Sequence, residues 1–344
     1  MIRTLSCVLI TFAGAAFAQE YRATLSGSVT DPSSSAIAGV SVKATNSATG
    51  QVNETKTGAA GLFTIPLLEP GVYSVETVAA GFQTTRKEGV VLSVSERVNL
   101  PIVMALGQSS TSVTVHADQE VLDTTSSDRG LVFDPTRTQE LPLNGRQSYM
   151  LLSLTPGVIF TQEQFGSSGF SGTRGWDVNN SYKFNGARAG NGNNAFLLNG
   201  SIISNEGSTW LLAPSVEAIA EFKAITTVFD AQYGHEAGGV VNTIIKSGTN
   251  KWHGDVYDYF RNRVLDANSF QNNFNGLGKG RHNQNQFGGV AGGPIRKDKD
   301  FIFVSYEGWQ EVVPFPASGT TVPSDLRNGT GFSSHGMIVY DPLT

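Results

Sequence analysis

The stretch "KWHGDVYDYF", Lys251 to Phe260, restricts the possible folds of this chain more than any other. Read at a period of two, Trp252, Val256 and Phe260 share one face with Gly254 and Asp258, and the opposite face carries His253, Asp255, Tyr257 and Tyr259. A strand of a soluble sheet alternates more sharply, apolar toward the core and polar toward water. Its length, about ten residues, and its aromatic content suit a strand that crosses a bilayer, which takes roughly 9–11 residues with aromatic side chains at both interfaces. "NQFGGVAGGP" and "DFIFVSYEGWQ" read as second and third strands, the latter with Ile302, Val304 and Tyr306 on one face and Phe301, Phe303 and Trp309 on the other. The gap from about Arg261 to Asn285 is long and rich in Asn and Gly, whereas "PIRKDKD" is short and charged. Long loops on one side and short turns on the other are the habit of membrane barrels. A soluble β-sandwich also alternates, so periodicity alone leaves both open.

No apolar run after the first residues approaches the roughly 20 residues of a membrane helix, so any crossing must use strands. The N-terminus, "MIRTLSCVLITFAGAAFAQ", has one basic residue, an apolar stretch and Ala16-Phe17-Ala18 ahead of Gln19. This is the pattern of a secretory signal spanning residues 1–18, with cleavage specified by Ala16 and Ala18. Cys7, the sole cysteine, lies inside it, so the mature chain carries no thiol. Charged residues make up 15% of the chain and the net charge is −5. No basic tract is present, and nucleic acid is not expected as a partner.

Residues 19–106 read as a β-sandwich. "ATLSGSVTD", "AGVSVKATN", "GQVNETKT", "GLFTIPLL", "GVYSVETVAAGF" and "RVNLPIVMAL" are short segments closed by Gly, Pro or Asn, with Asp31-Pro32-Ser33-Ser34 as the first turn. The expected inward set is Leu25, Val29, Val40, Val42, Phe63, Ile65, Tyr73, Val75 and Val98. The series G-x-V-T-D, I-A-G-V-S-V, T-G-x-x-G-L-F, L-x-P-G-x-Y-x-V and A-x-G-F resembles the carboxypeptidase-regulatory-like domain, a prealbumin-type sandwich. That likeness extends to folds that sometimes bind carbohydrate; no exposed aromatic platform is evident here, and a spacer role fits better.

Residues 107–128 are polar and read as a linker with one short strand, Ser112 to His116. Residues 129–249 are mixed α and β. "LNGRQSYMLLSLTPGV" suggests a helix capped at Asn144 with Gln147 three residues on, a stripe of Met150, Leu151 and Leu154, and a stop at Pro156-Gly157. A stretch dense in Gly and Asn follows, then "PSVEAIAEFKAITTVF" as a short helix entering a strand, and "YGHEAGGVVNTIIKSGT" as a turn and a strand. "VEAIAEFKAIT", Tyr233-Gly234, Gly238 to Asn242 and Lys246-Ser247-Gly248 resemble the plug domain of TonB-dependent outer-membrane receptors. "LPLNGR", "FLLNG" and "NQFGGVAGGPIRKDKDFIFVSYEGW" narrow the resemblance to the Oar-like branch, whose order is sandwich, plug and barrel. The expected fold is mainly β: a prealbumin-like sandwich, an α+β plug and, over residues 250–344, the first strands of an incomplete outer-membrane barrel. After Trp309 the chain turns Pro-, Gly- and Ser-rich and reads as an outward loop.

The resemblance implies a receptor in the outer membrane, surrounded by its lipid, with sandwich and plug on the periplasmic side. It would bind an unknown extracellular ligand (siderophore, oligosaccharide or peptide) and be driven by the TonB protein. Thr111, Ser112, Val113, Thr114 and Val115 are the candidate contact for that partner, since an extended segment can add to a sheet edge. Arg174, Asn185, Arg188, Asn191, Asn193 and Asn194 are candidates for a ligand surface at the plug apex, although loop structure alone accounts for any one of them. Trp176 and Trp210 are candidates for stacking or for burial. The alternative is a non-transport surface component serving adhesion or secretion with the same domains. The five histidines are scattered, and neither G-x-S-x-G nor a phosphate loop occurs. Metal, cofactor and enzymatic chemistry are therefore not expected. Mass spectrometry of the mature protein is expected to find Gln19 as its first residue; a chain in the cell envelope that still begins at Met1 would overturn the signal assignment.

Overall fold

The computed structural model describes residues 20–107, 112–116, 128–143, 146–160, 182–187, 194–204, 214–228, 230–233, 238–312 and 323–328, with residues 332 and 336. Strand β1 (Ala23–Thr30) alternates without a break, burying Ala23, Leu25, Gly27 and Val29. It pairs antiparallel with β4 (Leu62–Leu68) and parallel with β7 (Arg97–Asn99) and β8 (Ile102–Val103). The opposing sheet runs in the order β3-β2-β5-β6-β9: β2 is Ser41–Asn46, β3 Val52–Lys56, β5 Gly71–Val78, β6 Thr84–Leu92 and β9 Ser112–His116. One core joins the two sheets, and all nine expected inward residues lie in it, with Leu68, Val90, Leu92, Leu100, Ile102 and Met104 added. The first turn forms because Asp31 Oδ1 accepts the backbone N–H groups of Ser33 at 2.9 Å and Ser35 at 2.8 Å.

The structure departs from the sequence reading at two places in this unit, and it finds the expected strand Ser112 to His116. "RVNLPIVMAL" is not one strand. Pro101, which has no N–H to give, separates β7 from β8, and the chain steps along β1 in two short parallel pairings. Strand β6 escapes a period-two reading because Arg86-Lys87-Glu88 and Gly89, at φ 78°, interrupt its alternation. Strand β9 lies parallel to β6, from Thr84↔Ser112 to Glu88↔His116, so the strand within the polar stretch forms the outer edge of the sandwich sheet.

The middle unit is a five-stranded sheet in the order β10-β15-β16-β13-β14. Its strands are β10 (Arg129–Phe133), β13 (Ala195–Leu198), β14 (Ser201–Ile202), β15 (Ile219–Thr227) and β16 (Val240–Ile245). A two-stranded ribbon, β11 (Val158–Phe160) and β12 (Tyr182–Phe184), stands beside it. Helix α1 (Pro135–Glu140) starts where Asp134 accepts the Arg137 N–H and proline takes the first helical position. Phe133 stacks on Phe222 with ring centres 4.5 Å apart, and Tyr149, Phe184, Phe196 and Val241 complete this core.

The expected helix capped at Asn144 is replaced by a 3₁₀ segment, Ser148–Leu154, whose leading residue Gln147 makes no side-chain cap; Asn144 itself lies outside the described residues. Three residues per turn align Ser148 with Leu151 and Tyr149 with Leu152, and these four are buried. Leu154, expected inside on an α-helical period, is exposed.

The C-terminal sheet is an antiparallel meander of β17 (His253–Asn262), β18 (Asn283–Arg296) and β19 (Asp300–Val312). It holds register from His253↔Gly292 to Asn262↔Asn283 and from Asn283↔Val312 to Pro294↔Phe301. The connection between β17 and β18 is long, with a short helix α2 (Phe270–Phe274), whereas β18 returns through Lys297–Lys299, with Asp298 at φ 60°. The three strands form an open sheet.

Because the sandwich core draws only on residues between 23 and 104, residues 20–116 are expected to unfold cooperatively on their own. Leu25→Ala should cost about 2–5 kcal/mol in chemical denaturation, the usual range for emptying a buried leucine site. A shorter piece ending at residue 107 lacks β9 and should melt at a lower temperature; equal melting would show that the β6–β9 ladder contributes nothing.

Candidate functional site

The two faces of the C-terminal sheet differ in chemistry. One carries Val256, Phe260, Phe287, Ala291, Ile302, Val304 and Tyr306, with Phe287 and Tyr306 in ring contact at 6.5 Å. Val256 is 90% exposed. The other is mixed: it carries Tyr257, Tyr259, Gln284, Gln286, Ser305, Glu307 and Glu311 together with Val290, Phe301, Phe303 and Trp309, and Gln284 and Gln286 are buried. Asp258 and Asn285 share the first face, which is otherwise apolar or glycine over most of its length. A mainly apolar face backed by one that carries the buried polar groups suits a strand between hydrocarbon and a filled lumen.

The middle unit closes on this polar face. Arg146, at φ 53°, sends its guanidinium between the units: it lies 3.8 Å from the centre of the Tyr259 ring and 5.8 Å from that of Tyr257. It also pairs with Glu217, held by the 3₁₀ turn Val216–Ala218 that leads into β15. Burial pushes the Glu217 carboxyl above the ordinary carboxylate range, and the Arg146 charge draws it back down. Lys246 is lowered by burial, with Glu217 and Asp255 opposing. On the sheet side, Glu307 Oε2 accepts the Tyr257 hydroxyl at 3.0 Å and the Gln286 amide at 3.1 Å. The Ser215 and Ser305 hydroxyls meet at 3.2 Å. A guanidinium over an aromatic face adds about 0.5–2 kcal/mol, depending on how dry the contact is. The arrangement fastens one unit to another, and it offers no nucleophile paired with a base.

Gly248 permits the close approach of the middle unit to the sheet, and Gly239 permits packing inside the middle unit. Any side chain on Gly248 would sit 2.4 Å from the Ile302 carbonyl oxygen and 2.6 Å from that of Gly293, so "KSG" runs against the end of the β18–β19 hairpin. A side chain on Gly239 would fall 2.2 Å from the Phe184 ring.

Most residues singled out from the sequence do not meet at this contact. Thr111, Arg174, Arg188, Asn191 and Asn193 lie outside the described residues, as do Ala16, Ala18, Gln19, Trp176 and Trp210. Ser112, Val113, Thr114 and Val115 are in β9, opposite Thr84 to Lys87. Asn194 is buried; its amide donates to Tyr182 O at 3.1 Å and its Oδ1 accepts the Gly239 N–H at 3.2 Å, which makes it a loop brace. Asn185 donates to Thr226 O at 2.8 Å and lines a cavity of about 540 Å³ with Phe184, Thr226, Thr227 and Val228. The residues that do converge, Arg146, Glu217, Tyr257, Tyr259 and Glu307, were visible only as single charges or rings inside quoted motifs. Arg146 closes "LPLNGR" and Glu217 is the one charge in "SVEAIA"; a lone charge in an apolar stretch was the available signal.

Arg146→Met leaves Glu217 buried without its partner and is expected to destabilise the middle unit by about 3–5 kcal/mol, whereas the double variant Arg146→Met/Glu217→Leu should recover most of that loss without restoring the contact to Tyr259. Protease resistance of the middle unit in the membrane-embedded protein reads both; equal damage in single and double variants would show that the cost does not come from an unpaired Glu217.

Residues 244–344 match the outer membrane beta barrel domain, and residues 24–105 match the carboxypeptidase regulatory-like domain. The TonB-dependent transporter Oar of Myxococcus xanthus is 28% identical over 319 residues, which is 86% of this chain and 27% of that protein. The chain thus spans about a quarter of the length of its curated relative. Among solved structures, the siderophore receptor PirA of Acinetobacter baumannii aligns with 53% of this chain and 24% of its own at 22% identity, with a TM-score of 0.32. The 5-hydroxyisourate hydrolase of Klebsiella pneumoniae aligns with 26% of this chain and 91% of its own at 20% identity, with a TM-score of 0.20. Carrying a carboxypeptidase regulatory-like domain and an outer membrane β-barrel domain in one polypeptide, the chain is an outer-membrane protein, similar over most of its length to the TonB-dependent transporter Oar.

Proposed function

We propose that this chain forms the N-terminal part of a receptor that takes up a bulky ligand across the outer membrane, with the middle unit as its plug and the TonB protein as its periplasmic partner. The observation that carries this reading is the two-faced sheet β17–β19, one face mainly apolar and the other holding the buried Gln284 and Gln286 with Glu307, onto which Arg146, paired with Glu217, places its guanidinium over Tyr259. A plug that must later move is better held by a few charged and hydrogen-bonded contacts than by a continuous hydrophobic core. The short turn Lys297–Lys299 lies at the same end as Asn250, whose side chain donates to Asp298 Oδ1 at 2.6 Å and accepts the Asp298 N–H at 2.8 Å. That end carries the entry from the plug and is assigned to the periplasm. The long β17–β18 connection then faces outward, as barrel loops do. The ligand remains a matter of class: siderophore, oligosaccharide or peptide.

Strand β9 is the candidate coupling segment. It is the last strand of its sheet, so its outer edge offers the backbone ladder to which an extended strand can add. Val113→Pro and Val115→Pro each remove an N–H from that strand. In the full-length receptor both are expected to abolish energy-dependent uptake while ligand binding to whole cells persists. Uptake at the unmodified rate in both variants would move the coupling to another segment.

A further inference from the structure

The sandwich is docked chiefly through one turn, with two smaller contacts beside it: the Glu20 N–H donates to Gln232 Oε1 at 3.1 Å, and the Ala48 carbonyl accepts the Asn250 N–H at 3.0 Å. Between β6 and β7 the chain runs Ser93-Val94-Ser95-Glu96, with Ser95 at φ 52°. Val94 is fully buried although it lies outside the sandwich core. Its N–H donates to Glu221 Oε1 at 2.5 Å. The Ser95 carbonyl accepts Lys223 Nζ at 3.4 Å, and its hydroxyl accepts the Asn242 amide at 3.2 Å. One residue beyond the turn, Arg97 pairs with Asp230 at 2.8 Å. Glu221, Lys223 and Asn242 share the face of β15 and β16 that is turned away from Phe222, Ala224 and Val241. The turn therefore plugs into a polar socket on the outer side of the middle sheet, and nearly every contact is a hydrogen bond to a charged or amide group.

We propose that this turn is a proton-controlled latch: the sandwich stays docked on the middle unit when Glu221 carries a proton and is released when Glu221 ionises. The carboxyl sits among Glu96 from the turn, Lys223 on its own strand and Asp134 ahead of α1, and it borders a cleft of about 1610 Å³ that also receives Arg137 and Lys246. That cleft gives protons a path to it. Burial, first, and the negative charges of Glu96 and Asp134 push the Glu221 carboxyl up to about 7, against the Val94 N–H and Lys223, which pull it down. The sign follows from linkage. A carboxyl whose docked value lies above its ordinary 4.5 binds its proton more tightly when docked, so docking is strongest in acid. The ratio of docked to undocked forms falls by up to tenfold per pH unit between 4.5 and about 7, and levels off above that. Release at neutral pH would free the sandwich, with β9 at its edge, from the unit that β15 and β16 hold in place.

Residues 8–344 contain no cysteine, so Lys43→Cys on the sandwich and Gln139→Cys on the middle unit can carry a pair of spin labels in outer-membrane vesicles, any cysteine elsewhere in the protein being replaced by serine. At pH 5 one narrow distance is expected; toward pH 8 a second, broad population should grow at its expense. Glu221→Gln, which mimics the protonated group, should keep the narrow distance throughout. Val94→Pro, which deletes the N–H donor, should give the broad population even at pH 5. A wild-type distance distribution that is the same at pH 5 and pH 8, or a Glu221→Gln variant that still titrates, would overturn the latch. Because the readout is a distance, the test stands whether or not the receptor transports anything.

Discussion

In hydrocarbon there is no water to satisfy a backbone N–H or C=O, and each one left unpaired costs several kcal/mol. That constraint underlies the C-terminal sheet. Its strands hold continuous antiparallel register over ten pairs between β17 and β18 and onward through β19, with one irregularity, at Pro294 beside the turn. Alternation then divides the side chains. Val256, Phe260, Val304 and Tyr306 lie on one face, and Tyr257, Gln286, Ser305 and Glu307 lie on the other, toward the middle unit. Inward-facing polar groups need partners of their own. Tyr257 and Gln286 find one within the wall, at Glu307, and the middle unit supplies Ser215 and Arg146.

Both joints of the molecule are polar, whereas its units have apolar cores. The sandwich and the middle sheet bury aliphatic and aromatic side chains in separate clusters. Between the units stand Arg146 with Tyr259, Ser215 with Ser305, and the Ser93–Glu96 turn with Glu221, Lys223 and Asn242. Charged and hydrogen-bonded contacts can exchange partners with water at modest cost, since the net gain of one such bond is only about 0.5–1.5 kcal/mol. A hydrophobic joint of the same area would weld the units together. The division suits a molecule whose parts keep their shape while their mutual positions change.

Small residues decide how near the parts can come. Gly248 lets the segment after β16 run against the backbone of Gly293 and Ile302, and Gly239 makes room for the Phe184 ring. Read from sequence, these glycines belonged to family motifs and to turn chemistry. Their physical role is contact distance, which no local pattern expresses.

The sequence by itself determined what depends on near neighbours. Period two, turn residues and the apolar positions specified the sandwich strands and their inward set from Leu25 to Val98, and the same period separated the two faces of β17 and β19. It failed where long-range pairing overrides local pattern. Strand β6, interrupted by three charges and Gly89, is a strand because β5 and β9 flank it. Segment 148–154 tightens into a 3₁₀ helix because the core accepts Tyr149 and Leu152 on one side. The clasp of Arg146, Glu217 and Tyr259 and the socket that receives Val94 were decided by the tertiary structure alone. Val94 and Glu221, 127 positions apart, meet because separate sheets dock, and partners at that separation leave no periodic trace in the chain.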